Sequence, residues 1–310
     1  MPLETVTAAI LAQMAQSGAP ELHQMTAAES RAMYRDLKPD IPLVDVYRVE
    51  DRSVPGPAGE IPVRIYWPTA APAAIHVHFH GGGWVIGDLE THDADCREIC
   101  RGAACIVVAV DYRLAPEHIF PAALEDCYAV TCWASENSAE LGALSSPVSV
   151  GGDSAGGNLA ASVCLLARDR AGPNIAMQLL IYPVTDATME SASYRDNADG
   201  YLLSRKMMAW FWDHYCPDPA QRSDPLASPI RAADLSGLPP ALVMTAEFDP
   251  LRDEGEAYAE RLKAAGVAVQ VRRFDGLIHG FFSQAGMIEA AREGVDLAVK
   301  ALREAHKISG

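Results

Sequence analysis

Val148-Ser149-Val150-Gly151-Gly152-Asp153-Ser154-Ala155-Gly156-Gly157-Asn158-Leu159 is the stretch that decides the fold. A buried-strand pattern, Val148 to Gly152, runs into a Gly-x-Ser-x-Gly pentapeptide, and a helical pattern from Ala155 to Ala171 begins at once. Small residues two before and two after the serine permit a sharp, strained strand-to-helix turn. That turn lifts the Ser154 hydroxyl clear of the sheet, with a helix N-terminus behind it. By average residue usage the pentapeptide arises by chance in roughly one chain in ten of this length. A tight turn with a capping serine therefore competes until the surroundings are read.

Outward from Ser154, apolar runs alternate with helical patterns. Strands are expected at Val44 to Val49, Ile61 to Trp67, Ala74 to Phe79, Cys105 to Tyr112, Val148 to Gly152, Met177 to Tyr182, Leu242 to Ala246 and Val267 to Phe274. Helices are expected at Ala122 to Glu136, Ala155 to Ala171, Arg252 to Ala265 and Met287 to Ala305. Runs such as Ile106, Val107, Val108, Ala109 and Val110 suit strands covered on both faces. The expected class is α/β, with eight strands, six or more of them parallel, flanked by helices.

The alternation lapses twice. In the N-terminal segment Val6, Ile10, Leu11 and Met14 share a helical face, and Thr26 with Glu29 has capping-box spacing for a second helix that Pro39 ends. Between about Pro183 and Ala241 a polar stretch leads to a helix behind Ser204 carrying Met208, Phe211, Trp212 and Tyr215.

Charge narrows the partners. Against 41 Asp and Glu stand 25 Lys and Arg, a formal net charge of −16 that argues against nucleic acid or an anionic membrane surface. No run approaches the ~18 to 20 apolar residues of a membrane span. Glu4 precedes an N-terminal helix without the basic start of a signal peptide. The seven Cys include no Cys-x-x-Cys pair, and a chain of 310 residues needs no disulfides to supplement its core, which points to a reducing cytoplasm. A small-molecule substrate fits these limits.

His80-Gly81-Gly82-Gly83-Trp84 follows an apolar strand upstream of the serine. Successive glycines leave backbone amides unshielded, able to point at one oxyanion together with the amide after the nucleophile. A phosphate loop would need a terminal Lys or the wider dinucleotide spacing, and neither is present. An activated serine also needs a base and an orienting carboxylate. In this fold class both follow the nucleophile on loops after strand ends, in the order Ser, acid, His. Asp249 and His279 occupy those places, with Asp253 and His306 as their rivals. His76, His78 and His80 alternate along one strand, so a zinc hydrolase is the competing enzyme, although no carboxylate follows the His-x-His pair. Cys96 and Cys100 at helical spacing read as small core residues.

Together these motifs resemble the hormone-sensitive lipase family of α/β-hydrolases, the bacterial family IV esterases. The likeness rests on His80 to Gly83, Tyr112 to Glu117, Phe120 to Asp126, Gly152 to Asn158, Asp249 to Gly255 and His279 to Phe281. The resemblance implies a serine carboxylesterase with catalytic Ser154, Asp249 and His279 and an oxyanion hole from Gly81, Gly82 and Ala155. It implies N-terminal cap helices in 1–45, an α/β-hydrolase core in 46–184 and 236–310, and a cap insertion in 185–235. Arg113 and Glu117 are structural in that family, and Glu247 stands where many relatives carry Gly. No metal or organic cofactor is implied, and homodimers pair through the last strand, here near Val267 to Phe274. Trp84, Phe281, Phe282, Met208, Phe211 and Trp212 are candidate walls of the acyl channel as well as candidate core. Short- to medium-chain acyl esters are the expected substrates. A deacetylase or amidase using the same triad is the alternative, and a non-catalytic receptor of the same fold would lack the His that is present at 279.

Overall fold

The computed structural model describes residues 2–37, 42–72, 74–143 and 147–308, so Pro39 lies outside the described residues. The chain opens with α1 (Thr5–Ser17), α2 (Ala27–Asp36), β1 (Arg48–Gly56), β2 (Gly59–Trp67), β3 (Ile75–Phe79), α3 (Asp93–Ala103) and β4 (Ile106–Val110). It continues through α4 (Ala122–Glu136), the single turn α5 (Ser138–Leu141), β5 (Val148–Asp153), α6 (Ala155–Asp169) and β6 (Ile175–Ile181). It closes with α7 (Ala192–Asp196), α8 (Arg205–Tyr215), β7 (Ala241–Phe248), α9 (Arg252–Ala264), β8 (Val269–Ile278) and α10 (Glu289–Ala305).

All eight strands form one sheet in the order β1-β2-β4-β3-β5-β6-β7-β8. The six strands β3 to β8 are parallel, and β2 is antiparallel to both β1 and β4. Side chains alternate across a strand, so Ile106, Val108 and Val110 of β4 enter one core with α4, α6 and α9. Val107 and Ala109 enter the other with α3 and α10. Both faces of the sheet are therefore dry at β4, which is why its apolar run is unbroken. Among the described residues no helix is long and apolar enough to cross a membrane.

Two local expectations shift. The first strand is Arg48–Gly56, not Val44 to Val49. It is an edge strand in which only Val54 is fully buried, so its Glu, Asp, Arg and Pro residues hide the period of two. Arg48 is accommodated there by lying over the Trp67 ring, 3.6 Å from its centroid. In α1, Ile10 and Leu11 are half-buried on the same face as the buried Thr7, while Val6 and Met14 are exposed, so only part of the apolar face read from the sequence packs. The helix is also tethered through its start, where the Glu4 amide donates to Gly276 O at 2.8 Å. The capping box forms as expected, with Thr26 N donating to Glu29 Oε2 at 2.9 Å and Glu29 N to Thr26 Oγ1 at 3.3 Å.

Candidate active site

β5 ends at Asp153 and α6 starts at Ala155, leaving Ser154 alone at the bend with φ 55° and ψ −116°. Such a conformation costs about 1–3 kcal/mol in a residue with a Cβ. It is held by Ser154 N donating to Ile181 O at 2.8 Å and by Val184 N donating to Ser154 O at 3.2 Å. Gly152 and Gly156 let the bend sit under the end of β3, since a Cβ on them would lie 2.1 and 1.9 Å from Phe79 O. Asn158, the last residue of the motif, anchors the first turn of α6 by donating to Val184 O at 3.0 Å and Ala227 O at 2.9 Å.

Three loops at the C-terminal ends of parallel strands converge here. His279, directly after β8, places Nε2 2.9 Å from Ser154 Oγ and Nδ1 2.7 Å from Asp249 Oδ2. Asp249, directly after β7, is fully buried, and its Oδ1 accepts from Leu251 N at 2.8 Å. A carboxylate at Nδ1 keeps the proton on that nitrogen and leaves the Nε2 lone pair for the Ser154 hydroxyl. Strand β8 runs four residues beyond the expected end at Phe274, to Ile278, and so carries His279 to the serine.

The rivals are engaged elsewhere. Asp253 accepts from Ser193 N and Arg252 Nε, both at 2.8 Å. His306 Nε2 lies 2.9 Å from Ser149 Oγ, at the opposite end of β5 from Ser154. Burial pushes His76 well below its usual value, His78 to about 4 and His80 to about 3, so these imidazoles are neutral. The His80 ring stacks on Tyr112, centroids 4.2 Å apart, and its Nδ1 is 2.7 Å from Gly81 O. Among the described residues no group of three His, Cys, Asp or Glu side chains could hold a metal ion. Cys96 and Cys100 are core residues of α3, and burial raises the Cys100 thiol to about 12.

The glycine loop corrects one expectation. The Gly81 amide is already committed, donating to Asp153 Oδ1 at 2.8 Å, so it is not free to face an oxyanion. Among the described residues the Gly82 and Gly83 amides have no protein acceptor, and the amide of Ala155 heads α6. Gly82, Gly83 and Ala155, in place of Gly81, Gly82 and Ala155, are therefore the candidate donors. Sequence reasoning also passed over Asp153 and His92. Asp153 occupies a variable place in the pentapeptide, and nothing in sequence spacing links His92 to it.

The aromatic candidates are packed together rather than spread along a channel. Trp84 stacks on Tyr215 of α8 at 4.0 Å and lies tilted against Trp212. Phe281 and Phe282 are buried in the core on the α10 side of the sheet. Phe211 presses on the glycine loop, its ring atoms 2.2 Å from where a Gly83 Cβ would be. Arg113 and Glu117 form ion pairs, with Asp126 at 2.8 Å and Arg31 at 2.6 Å. Glu247 Oε2 accepts from Gly276 N at 2.7 Å, a contact that Gly could not make.

A family model described as the alpha/beta hydrolase fold matches residues 76–283. Carboxylic ester hydrolase LipN of Mycobacterium tuberculosis is 50% identical over 262 residues, 82% of this chain and 70% of that protein. Carboxylesterase NlhH of the same species is 45% identical over 284 residues, 89% of this chain and 88% of that one. A thermostable esterase from Pseudomonas putida superposes with a TM-score of 0.95 over 99% of both chains at 38% identity. A hyperthermophilic esterase from the archaeon Pyrobaculum calidifontis gives 0.92 at 40% identity, over 98% of this chain and 99% of that one.

Proposed function

The chain belongs to the α/β-hydrolase family, and on that premise we propose that Ser154, His279 and Asp249 act as nucleophile, base and orienting acid of a carboxylic ester hydrolase. The observation that carries this is the continuous hydrogen-bonded line from Ser154 Oγ through His279 to Asp249, at 2.9 and 2.7 Å. In the cycle, Oγ attacks the ester carbonyl as its proton passes to His279 Nε2, and Asp249 steadies the imidazolium. The amides of Gly82, Gly83 and Ala155 receive the tetrahedral oxyanion, helped by the positive end of α6. His279 then protonates the departing alcohol. Water, deprotonated by the same nitrogen, attacks the acyl-enzyme, and the acid leaves as Oγ regains its proton.

The N-terminal helices and the segment 185–235 serve as a cap over this site. Two contacts support that role. Arg31 of α2 donates to Val85 O and Ala115 O, both at 2.8 Å, gripping the chain beside the glycine loop. Phe211 of α8 presses on Gly83 from the other segment. A roof this close to the oxyanion amides favours short- to medium-chain acyl groups. The seven free cysteines suit a reducing cytoplasm, and the β8 edge offers a surface for pairing two copies.

Ser154→Ala is expected to lower kcat by about 10⁶ while the substrate still binds. An organophosphonate is expected to label the unmutated protein once and the variant not at all. Near-normal esterase rates in Ser154→Ala would overturn the assignment, and faster turnover of long-chain emulsions than of butyrate esters would overturn the acyl preference.

A further inference from the structure

Two buried ionisable groups beside the nucleophile are unused by this mechanism. His92 precedes α3 and Asp153 precedes Ser154, and the two are 3% and 9% exposed. His92 Nε2 lies 3.3 Å from Asp153 Oδ1, the oxygen that takes the Gly81 amide at 2.8 Å. Nε2 is also 3.2 Å from Gly81 N. The Gly81 N–H is shared between Asp153 Oδ1 and Nε2, so Nε2 stands against both this donor and, at 3.3 Å, a buried anion. On the other side of the ring, Nδ1 is 2.9 Å from Thr91 Oγ1. That hydroxyl also lies 2.9 Å from Asp88 O, to which it can donate while accepting from a protonated Nδ1. The buried ring thus lies within ion-pair distance of a buried carboxylate, with an oxygen at Nδ1 able to take a second proton, a setting that favours the doubly protonated imidazole.

We propose that His92 is held as an imidazolium that cancels the Asp153 carboxylate beside the oxyanion amides, which makes it a positioning residue for ester cleavage. This rests on the reading of Ser154 and its amide donors above. Gly81, tied to Asp153, is the direct neighbour of Gly82, so an uncancelled carboxylate would oppose the negative charge that develops on the substrate oxygen. The pair is itself neutral while the carboxylate fixes the glycine loop.

The groups facing His92 come from several elements. Asp153 belongs to β5, Asp88 and His80 to the glycine loop and its continuation, Asp95 to α3 and His78 to β3. Tyr34 of α2 and His279 face Asp153 from above. Burial alone would lower His92, but the Asp153 charge and hydrogen bond, with Asp95 and Asp88, outweigh it and raise His92 above its ordinary value. Burial likewise pushes Asp153 up, and the His92 charge brings it down to about 2. As pH climbs through the raised His92 value, the proton leaves, Asp153 is uncancelled and kcat falls.

The test is the pH dependence of kcat and KM on p-nitrophenyl butyrate for the unmutated protein, His92→Gln, Asp153→Asn and the double variant. His92→Gln is expected to lower kcat at neutral pH by about tenfold to a hundredfold, to leave KM within about threefold, and to lack the alkaline fall. Adding Asp153→Asn removes the stranded charge and is expected to recover about tenfold or more of that loss, which a purely structural hydrogen bond would not do. A double variant as slow as His92→Gln, or an alkaline fall that survives in His92→Gln, overturns the proposal. In the unmutated protein, imidazole ¹⁵N shifts are expected to show His92 doubly protonated at neutral pH. A neutral ring there overturns the proposal whether or not the variants fold. Phosphonate labelling of Ser154 in the unmutated protein keeps this outcome distinct, because failure of the nucleophile assignment would abolish that labelling.

Discussion

Replacing Asp249 by Asn tests the proton line at its far end, and the two oxygens of that carboxylate set the outcome. Oδ1 accepts from Leu251 N at 2.8 Å and Oδ2 from His279 Nδ1 at 2.7 Å, both in a fully buried setting. In Asp249→Asn the amide must keep its carbonyl towards Leu251, because its NH₂ there would set two donors face to face without solvent. The NH₂ group then points at His279 Nδ1, which becomes an acceptor, and the ring proton moves to Nε2. Nε2, 2.9 Å from Ser154 Oγ, now donates to the hydroxyl from which it must take a proton. The expected loss is about 10⁴ in kcat, equivalent to about 5 kcal/mol of barrier, with KM little changed. Because both hydrogen bonds persist in altered form, stability to urea should change by less than about 1.5 kcal/mol. Initial rates on p-nitrophenyl butyrate and urea unfolding followed by circular dichroism supply both numbers. Asp253→Asn is the control, expected within about threefold of normal kcat because that carboxylate is bonded to Ser193 and Arg252. A loss below about tenfold in Asp249→Asn, or an equal loss in Asp253→Asn, would refute the tautomer reasoning.

Two further substitutions probe the scaffold around this line. Gly156→Ala sets a methyl 1.9 Å from Phe79 O, a backbone atom that cannot swing aside, and is expected to cost at least about 1–3 kcal/mol in urea unfolding together with most of the esterase rate. An unchanged unfolding midpoint would show that the bend has slack the geometry denies. Asp95 is buried, and burial raises its carboxyl to about 6, above its unfolded value. A raised acid binds more protons folded than unfolded, so its contribution to stability falls as pH rises from about 4 to about 6. Asp95→Asn is therefore expected to stabilise the protein at pH 8 by up to roughly 3 kcal/mol and to have no such effect below pH 4, as thermal melts across pH would record. Stabilisation that is equal at both ends of the range would point to packing instead.

The sheet was legible in the sequence wherever both faces of a strand are buried. In β4 every residue from Ile106 to Val110 is apolar because α4 and α6 lie on one side and α3 and α10 on the other. Where that condition lapses, legibility lapses with it. β1 has solvent on its edge and carries Glu50, Asp51, Arg52 and Pro55, so nothing in its composition distinguishes it from the loop before it. In α1 the apolar stripe is present but packs only in part, and the helix is also anchored by a main-chain bond from Glu4 to Gly276, which no pattern of side chains announces.

At the site the same division appears at the scale of single atoms. Ser154, Asp249 and His279 could be placed from the sequence because each follows a strand, and parallel strands deliver their C-terminal ends to one place. The oxyanion donors could not, because three consecutive glycines are indistinguishable until something claims one of their amides. Asp153 claims the first, at 2.8 Å, which leaves Gly82 and Gly83 as the proposed donors. A carboxylate in that position brings a second requirement, since it fixes the loop with a charge that opposes the oxyanion the loop must bind. The imidazole of His92, 3.3 Å away, meets that requirement only while protonated. The choice of donor amides and the protonation of a histidine eleven residues beyond Gly81 are thus parts of one electrostatic problem, in which the Asp153 carboxylate is the common term.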